Sequence, residues 1–443
     1  MRNYPAVGLQ TADILLPKAG TDLRKWAVIA CDQFTSEPEY WEEVRCLVSD
    51  APSTFHLILP EVFLGTPEET ARVESTRRVM HRYLSEDLFT PHEGLIYLER
   101  TAEGRTRHGL MVALDLERYD YNQGSQTLIR STEGTILDRL PPRIRIRSGA
   151  PLELPHILVL IDDPEGTVIE PLTVQIDRLE KLYDFELMLG SGHLKGYRLT
   201  DPALEKQAVA ALERLADPAR FQSRYGVGPE KGVLLYAMGD GNHSLATAKA
   251  IWEQQKAIVG MDHPSRYALI ELENVHDAGL AFEPIHRVLF GLREDLGAAM
   301  ARAFGDRLRL THCSSQEEMI AAVRGQGGGL PVAPEQAFGL VTPTGFQLAT
   351  LGRPTFNLAV GNVQAFLDPW LKEGGAEKID FVHGEEVVCK LGRQPGQAGV
   401  YLPAMAKTDL FKTVIVDGAL PRKTFSMGEA KEKRFYMECR KIA

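Results

Sequence analysis

Through the first two-thirds of the chain, short apolar runs alternate with stretches whose apolar residues recur at helical spacing. WAVIA (26–30) and TFHLILP (54–60) have the unbroken apolar character of buried strands. TPEETARVESTRRVMHRYLSEDL (66–88) offers Thr66 as a cap, Pro67 at the first helical position and acids in the first turn, which predicts a helix. LIYLER (95–100) and GLMVALDLE (109–117) predict a strand pair joined by the EGR turn. HILVLIDDP (156–164) predicts a strand ending in acids, and DPALEKQAVAALERLAD (201–217) an amphipathic helix. In GVLLYAMGDGNHSLATAKAI (232–251), VLLYAM supplies a strand and SLATAKAI opens a helix, with Gly239, Asp240 and Gly241 between them. RYALIELEN (266–274) is a further strand, and PIHRVLF (284–290) begins another element.

Beyond residue 291 the texture changes. Short helices (LREDLGAAMARAF, SQEEMIAAV) border a Gly-rich break, GQGGGLPVAPEQ (325–336), which reads as a loop. The pattern predicts an α/β (α+β) protein with mixed sheets. At 443 residues the chain exceeds the roughly 250–300 at which one core stops growing. Two parts are therefore expected: a core domain over 1–290 and a smaller C-terminal α/β region over 291–443.

Composition narrows the function. A net charge of −10 opposes a duplex-DNA partner, which needs clustered cations to displace counterions. No apolar run approaches the roughly 20 residues that span a bilayer. The start, MRNYPAVGLQTADILLPKAG, lacks the pattern of a signal peptide, so the expectation is cytoplasmic. The five cysteines are scattered and never paired as CxxC, which suits free thiols better than a disulfide or metal framework.

The candidate chemistry centres on GDGNHS. A Gly-Asp-Gly turn lets backbone approach a ligand, and the following helix N-terminus offers N–H groups and positive potential to a phosphate. Asp240 suits Mg²⁺ or a proton, and His243 a phosphate oxygen or acid/base work. The plainer reading is that Asn242 or Ser244 only caps the helix. A second constellation, IRSTEGTILDRLPPRIRIRSGAPLELPHILVLIDDP (129–164), holds Arg130, Arg139, Arg143, Arg145 and Arg147. The last three alternate with isoleucines and would share one face of a strand, where charged edges oppose aggregation, so they read as structural. Arg130 and Glu133, beside Ser131, Thr132 and Gly134, read as site residues. Asp32 and Gln33, the pair His286 and Arg287, His383 with Glu385 and Glu386, and the basic segment PRKTFSMGEAKEKRF (421–435) complete the candidates. No metal quartet, P-loop, GxSxG or GxGxxG is present.

Taken in order, TFHLILPE (54–61), IRSTEGT (129–135), DRLPPRIRIRSGAPLELPHILVLIDDP, GDGNHS, DAGLAFEPIHRVL, IDFVHGEE and PRKTFSM resemble the domain-of-unknown-function family number 1015, over nearly the whole chain. That family is often labelled SpoOJ/ParA/ParB/RepB-like. Its usual turn, Asp-Gly-His-His-Arg, resembles that of the ParB/sulfiredoxin superfamily, whose members bind nucleotides there. Some are CTP-dependent DNA clamps, and others are kinases of small hydroxyl compounds. Asp240, Gly241 and His243 match the turn. Asn242 replaces its first His and Ser244 its Arg, which removes a bidentate phosphate clamp. Arg130 or Arg287 would have to replace it.

The resemblance implies a phosphotransferase that uses Mg²⁺ and a nucleotide, ATP or ADP, on a small hydroxyl metabolite. Asp240 would hold the metal, His243 the phosphate, and Glu133 would act as base. Gly239, Gly241, Asn242, Ser244, Arg130, His286 and Arg287 would surround the cofactor. The alternative is a regulator that binds a nucleotide or metabolite without turnover. A DNA partition protein ranks last, since no basic recognition helix accompanies the acidic composition. The expected partner is a small molecule, with no nucleic acid and no membrane, and a homo-oligomer is left open.

Overall fold

The computed structural model describes residues 1–135, 137–325 and 335–443; most of the Gly-rich break at 325–336 lies outside the described residues. The chain forms two compact units, Met1–Leu280 with Gly428–Ala443, and Ala281–Met427. The C-terminal segment therefore belongs to the same unit as the N-terminus.

The first unit is built on a mixed 11-stranded sheet. Its main path runs Glu180–Glu186, His193–Arg198, Ile96–Ala102, Arg105–Asp115, Tyr267–Asn274, Leu158–Ile161, Tyr236–Asp240, Ile129–Arg130 and Tyr119–Asp120. The alternation of side chains along a strand divides its apolar residues between two cores. Ile96, Leu98, Met111, Ala113 and Leu269 enter one core, while Tyr97, Leu110, Val112, Leu114, Ala268, Ile270 and Leu272 enter the other. Three pairs in this sheet are parallel. Tyr236–Asp240 and Tyr119–Asp120 both run beside Ile129–Arg130, and Leu158–Ile161 runs beside Tyr267–Asn274.

Glu271 and Glu273 alternate with apolar residues in ALIELEN, yet both are buried. Their charge is met by Arg107, whose Nε lies 2.8 Å from Glu273, and by Arg434, whose Nη1 lies 3.1 Å from Glu271. Arg434 also donates to Glu438 at 2.6 Å. The second unit has a seven-stranded sheet in the order Leu308–Cys313, Gly345–Gly352, Glu335–Thr342, Gln397–Tyr401, Phe282–Phe290, Lys378–His383, with Phe425–Met427 also paired to Phe282–Phe290. No helix among the described residues is long and apolar enough to cross a membrane.

The helix expected over 66–88 runs Glu69–Ser85 with Glu68, not Thr66, at its N-cap. Two further local expectations fail for physical reasons. TFHLILP is not a strand. Thr54–Leu57 forms a 3-10 turn capped by Ser53, whose Oγ accepts from Phe55 N–H. The arginine trio is not on a strand either, because Leu140–Arg147 is a helix. Pro141 and Pro142 sit in its first turn, where a fixed φ suits a helix and the missing N–H groups cost nothing. Its spacing places Arg143 and Arg147 on one face, with Arg145 turned away. Arg145 reaches Glu69, while Arg143 and Arg147 reach Glu61 and Glu153.

Candidate functional site

Tyr236–Asp240 ends on Asp240, and the helix Asn242–Val259 starts two residues later. Gly241 makes this possible. Its φ of 78° is left-handed, and a Cβ there would lie 3.1 Å from the Ile157 Cα, so only glycine fits without strain. As the N-cap it has no side chain to give. The positive end of an 18-residue helix opens at this turn. Neither Asn242 nor Ser244 caps the helix, and the Asn242 Oδ1 is buried with no hydrogen-bond partner among the described residues.

Both carboxylate oxygens of Asp240 are engaged. Oδ1 accepts from the Gly241 N–H at 2.8 Å, and Oδ2 meets the Lys433 ammonium at 3.1 Å. Burial alone would raise this carboxyl, but Lys433 outweighs burial and holds it below the ordinary aspartate value. His156, on the segment preceding Leu158–Ile161, also favours the ionised form of this carboxyl.

A second polar group adjoins the first through His156, whose charge bears on both Asp240 and Glu61. The Tyr436 hydroxyl lies 2.8 Å from His156 Nδ1 and 3.1 Å from the Cys31 sulfur. Glu61 pairs with Arg143, from the helix that packs on Asn242–Val259. Burial raises the Glu61 carboxyl; Arg143 opposes this and Asp32 adds to it. Burial, with Asp32 and Glu61 nearby, pushes the Cys31 thiol up, so it stays protonated.

The sequence candidates fare unevenly. Gly239, Asp240, Asn242, His243 and Ser244 are half-buried around the buried Gly241. Thr132 donates to the Met238 carbonyl at 2.8 Å, and Glu133 next to it is half-buried. Arg130 is buried but turns the other way. It donates to the Thr127 and Gly232 carbonyls, which precede the strand, so its guanidinium sits at the end away from the turn.

His286 and Arg287 belong to the second unit. Arg287 donates to Gln364 and to the carbonyls of Ile285, Arg422 and Lys423. His286 accepts from Leu402 N–H and stacks on Tyr401 at 4.6 Å. Glu385 is paired with Arg324 in that unit. Lys433, His156, Tyr436, Glu61 and the site-facing role of Arg143 were not singled out from sequence. Lys433 lies in the basic segment 421–435, which was a candidate only as a whole.

The fold and this turn define an α+β protein whose polar site is built at a strand-to-helix junction. The chain belongs to the family described as protein of unknown function (DUF1015), whose sequence profile matches residues 15–370. No functionally curated protein sequence matches it. Among solved structures it is similar to a free serine kinase variant in complex with AMP, with a TM-score of 0.39 and 12% identity over 75% of this chain and 91% of that one. A conserved hypothetical protein from Pyrococcus furiosus gives 0.34 and 12% over 72% and 90%. SbnI from Staphylococcus aureus gives 0.35 and 11% over 72% and 82%. Superpositions this partial carry no argument about activity.

Proposed function

We propose that this chain binds a nucleoside phosphate at the Gly239–Ser244 turn and transfers a phosphoryl group to a small hydroxyl compound. The observation that carries this reading is the meeting of Asp240 and Lys433 at 3.1 Å, beside the N-terminus of a long helix. An ammonium and a helix N-terminus both attract phosphate oxygens, and a carboxylate suits a hard cation. Phosphoryl transfer asks chiefly for positioning and charge neutralisation.

Among the described residues no group of three or more His, Cys, Asp or Glu is arranged to hold a metal ion. A magnesium ion, which usually takes one or two carboxylates and completes its shell with phosphate oxygens and water, would have Asp240 as its protein ligand. When bound it would neutralise phosphate charge. The chain's own residues do the rest. The helix N-terminus and Lys433 hold phosphate oxygens. The acceptor oxygen bonds to phosphorus as the bond from phosphorus to the nucleotide oxygen breaks, and the hydroxyl proton passes to a carboxylate. Glu61 suits that role because burial raises its proton affinity, and Glu133, which follows the Thr132 that bonds to Met238, is the other candidate.

The test is thermal shift with ADP, ATP and CTP in the presence of Mg²⁺, followed by transfer of labelled phosphate to a pool of small hydroxyl metabolites. A ligand at about 100-fold its Kd adds roughly 2.7 kcal/mol of stability, which such a scan resolves. The absence of any shift refutes nucleotide binding. A shift without transfer favours the second reading, a binding-only regulator, which Asn242 and Ser244 support by standing where the family's usual turn has His and Arg.

A further inference from the structure

We propose that Lys433 is a resident stand-in cation for the site: it occupies the Asp240 carboxylate when no ligand is bound and passes to the phosphate when a divalent cation takes that carboxylate. This rests on the phosphoryl-transfer reading and assigns it a residue from outside the turn.

Both oxygens of Asp240 are already engaged. Oδ1 is held by the adjacent backbone N–H and Oδ2 by Lys433, with the Lys433 and Asp240 side chains only 12% and 26% exposed. A divalent cation on Oδ2 would sit against the positive charge of the ammonium, so the two compete for that oxygen. Losing Lys433 altogether would leave a half-buried carboxylate unpaired, which is costly, so some cation must be there at all times.

Lys433 is suited to the exchange because its backbone is fixed while its side chain has several rotatable bonds. Lys433 N–H donates to Ala430, Ala30 N–H donates to the Arg434 carbonyl at 2.9 Å, and the Arg434 side chain is locked between Glu271 and Glu438. Four methylenes on a fixed Cα let the ammonium move a few ångströms with no change in the fold. The helix N-terminus beside Asp240 gives a phosphate its seat, and the released ammonium supplies the charge that Ser244, in place of the family's arginine, does not.

The experiment uses the full chain and three probes: Mn²⁺ alone, Mn²⁺ with pyrophosphate, and Mn²⁺ with ADP. Manganese binding is read by electron paramagnetic resonance and the phosphates by calorimetry. Lys433→Met should tighten Mn²⁺ binding at least about tenfold and weaken pyrophosphate and ADP at saturating Mn²⁺ at least about tenfold. Asp240→Asn should abolish the manganese gain in the double variant. Lys433→Arg, which keeps the ion pair, should bind Mn²⁺ within about twofold of the parent. If Lys433→Met loses its cooperative melting transition, Lys433→Gln replaces it in the same assay. Manganese affinity that is unchanged or weaker in the neutral variant, or phosphate affinity that is unchanged, overturns the proposal. Lys433-dependent binding of pyrophosphate with no binding of any nucleotide supports the exchange while refuting the nucleotide reading.

Discussion

Glu153→Gln should destabilise the first unit by about 3–5 kcal/mol, the usual cost of breaking a buried ion pair by changing one partner. Glu153 is 4% exposed and joins three segments. Its Oε1 accepts from Arg440 Nε at 2.6 Å and from Leu269 N–H at 2.9 Å, and its Oε2 accepts from Arg147 at 2.5 Å. The amide is nearly isosteric, so no cavity forms. It cannot accept at both positions, however, and its NH₂ would face a guanidinium. Arg440 keeps its bonds to the Pro264 and Tyr267 carbonyls, which places the cost toward the lower end, near about 3 kcal/mol. For an m-value of about 6 kcal/mol/M, the guanidinium chloride midpoint falls by about 0.5 M. Trp26, Trp41 and Trp252 are buried reporters in this unit, and a Trp370→Phe background silences the other. The pH dependence provides a second reading. Burial would raise the Glu153 carboxyl, but Arg440 and Arg147 hold it below the ordinary glutamate value. Its contribution is therefore present above the unfolded value, about 4.3, and is lost as pH falls through the lower folded value. Glu153→Gln should flatten that acid loss. A midpoint shift under about 0.2 M with an unchanged acid limb would refute the reasoning and make the Arg147 contact incidental.

Gly241→Ala forces a left-handed alanine toward Ile157, so the melting scan should show a loss of about 1–2 kcal/mol, together with loss of the ADP-induced shift. Glu61→Gln should lower phosphoryl transfer by about 10²–10⁴-fold and remove the acid limb of its pH profile, whereas Glu133→Gln keeps that limb; the reverse pattern gives the proton to Glu133. His286, buried beside Arg287, has its pKa lowered to about 4, so the second unit binds fewer protons folded than unfolded between about pH 6.5 and 4. Its stability should fall through that window by up to about 3 kcal/mol, followed by Trp370 fluorescence, and His286→Phe should remove most of the slope.

Elements whose pattern is local were legible in the sequence. Pro202–Leu215 forms with Asp201 accepting from Ala203 N–H, as DPALEK announces, and Tyr267–Asn274 follows its apolar alternation. The strand, turn and helix around Asp240 were legible for the same reason, since glycine at a left-handed position and a helix start are written within a few residues. RIRIR was not, because its alternation fits an edge strand as well as a helix, and two prolines together with packing on Asn242–Val259 decided between them. TFHLILP failed because an apolar run without a strand partner folds by side-chain capping from Ser53.

What the sequence hid about the site was its assembly from afar, and the buried acids explain how that assembly is held. Glu271 and Glu273 on a strand reading ALIELEN would face water unless cations arrived from elsewhere. Arg107 lies on the neighbouring strand, but Arg434 arrives from more than 150 residues away in sequence. Burying such charges rarely yields net stability, because desolvation offsets the attraction. It does fix register: displacing the C-terminal segment by one residue would leave Arg434 off its acids and strand unpaired charges in the core. Neighbouring side chains in an extended segment point to opposite sides, so the lock on Arg434 places Lys433 on the other side, within 3.1 Å of Asp240. The basic segment is thus held by one of its cations so that the next can serve the turn.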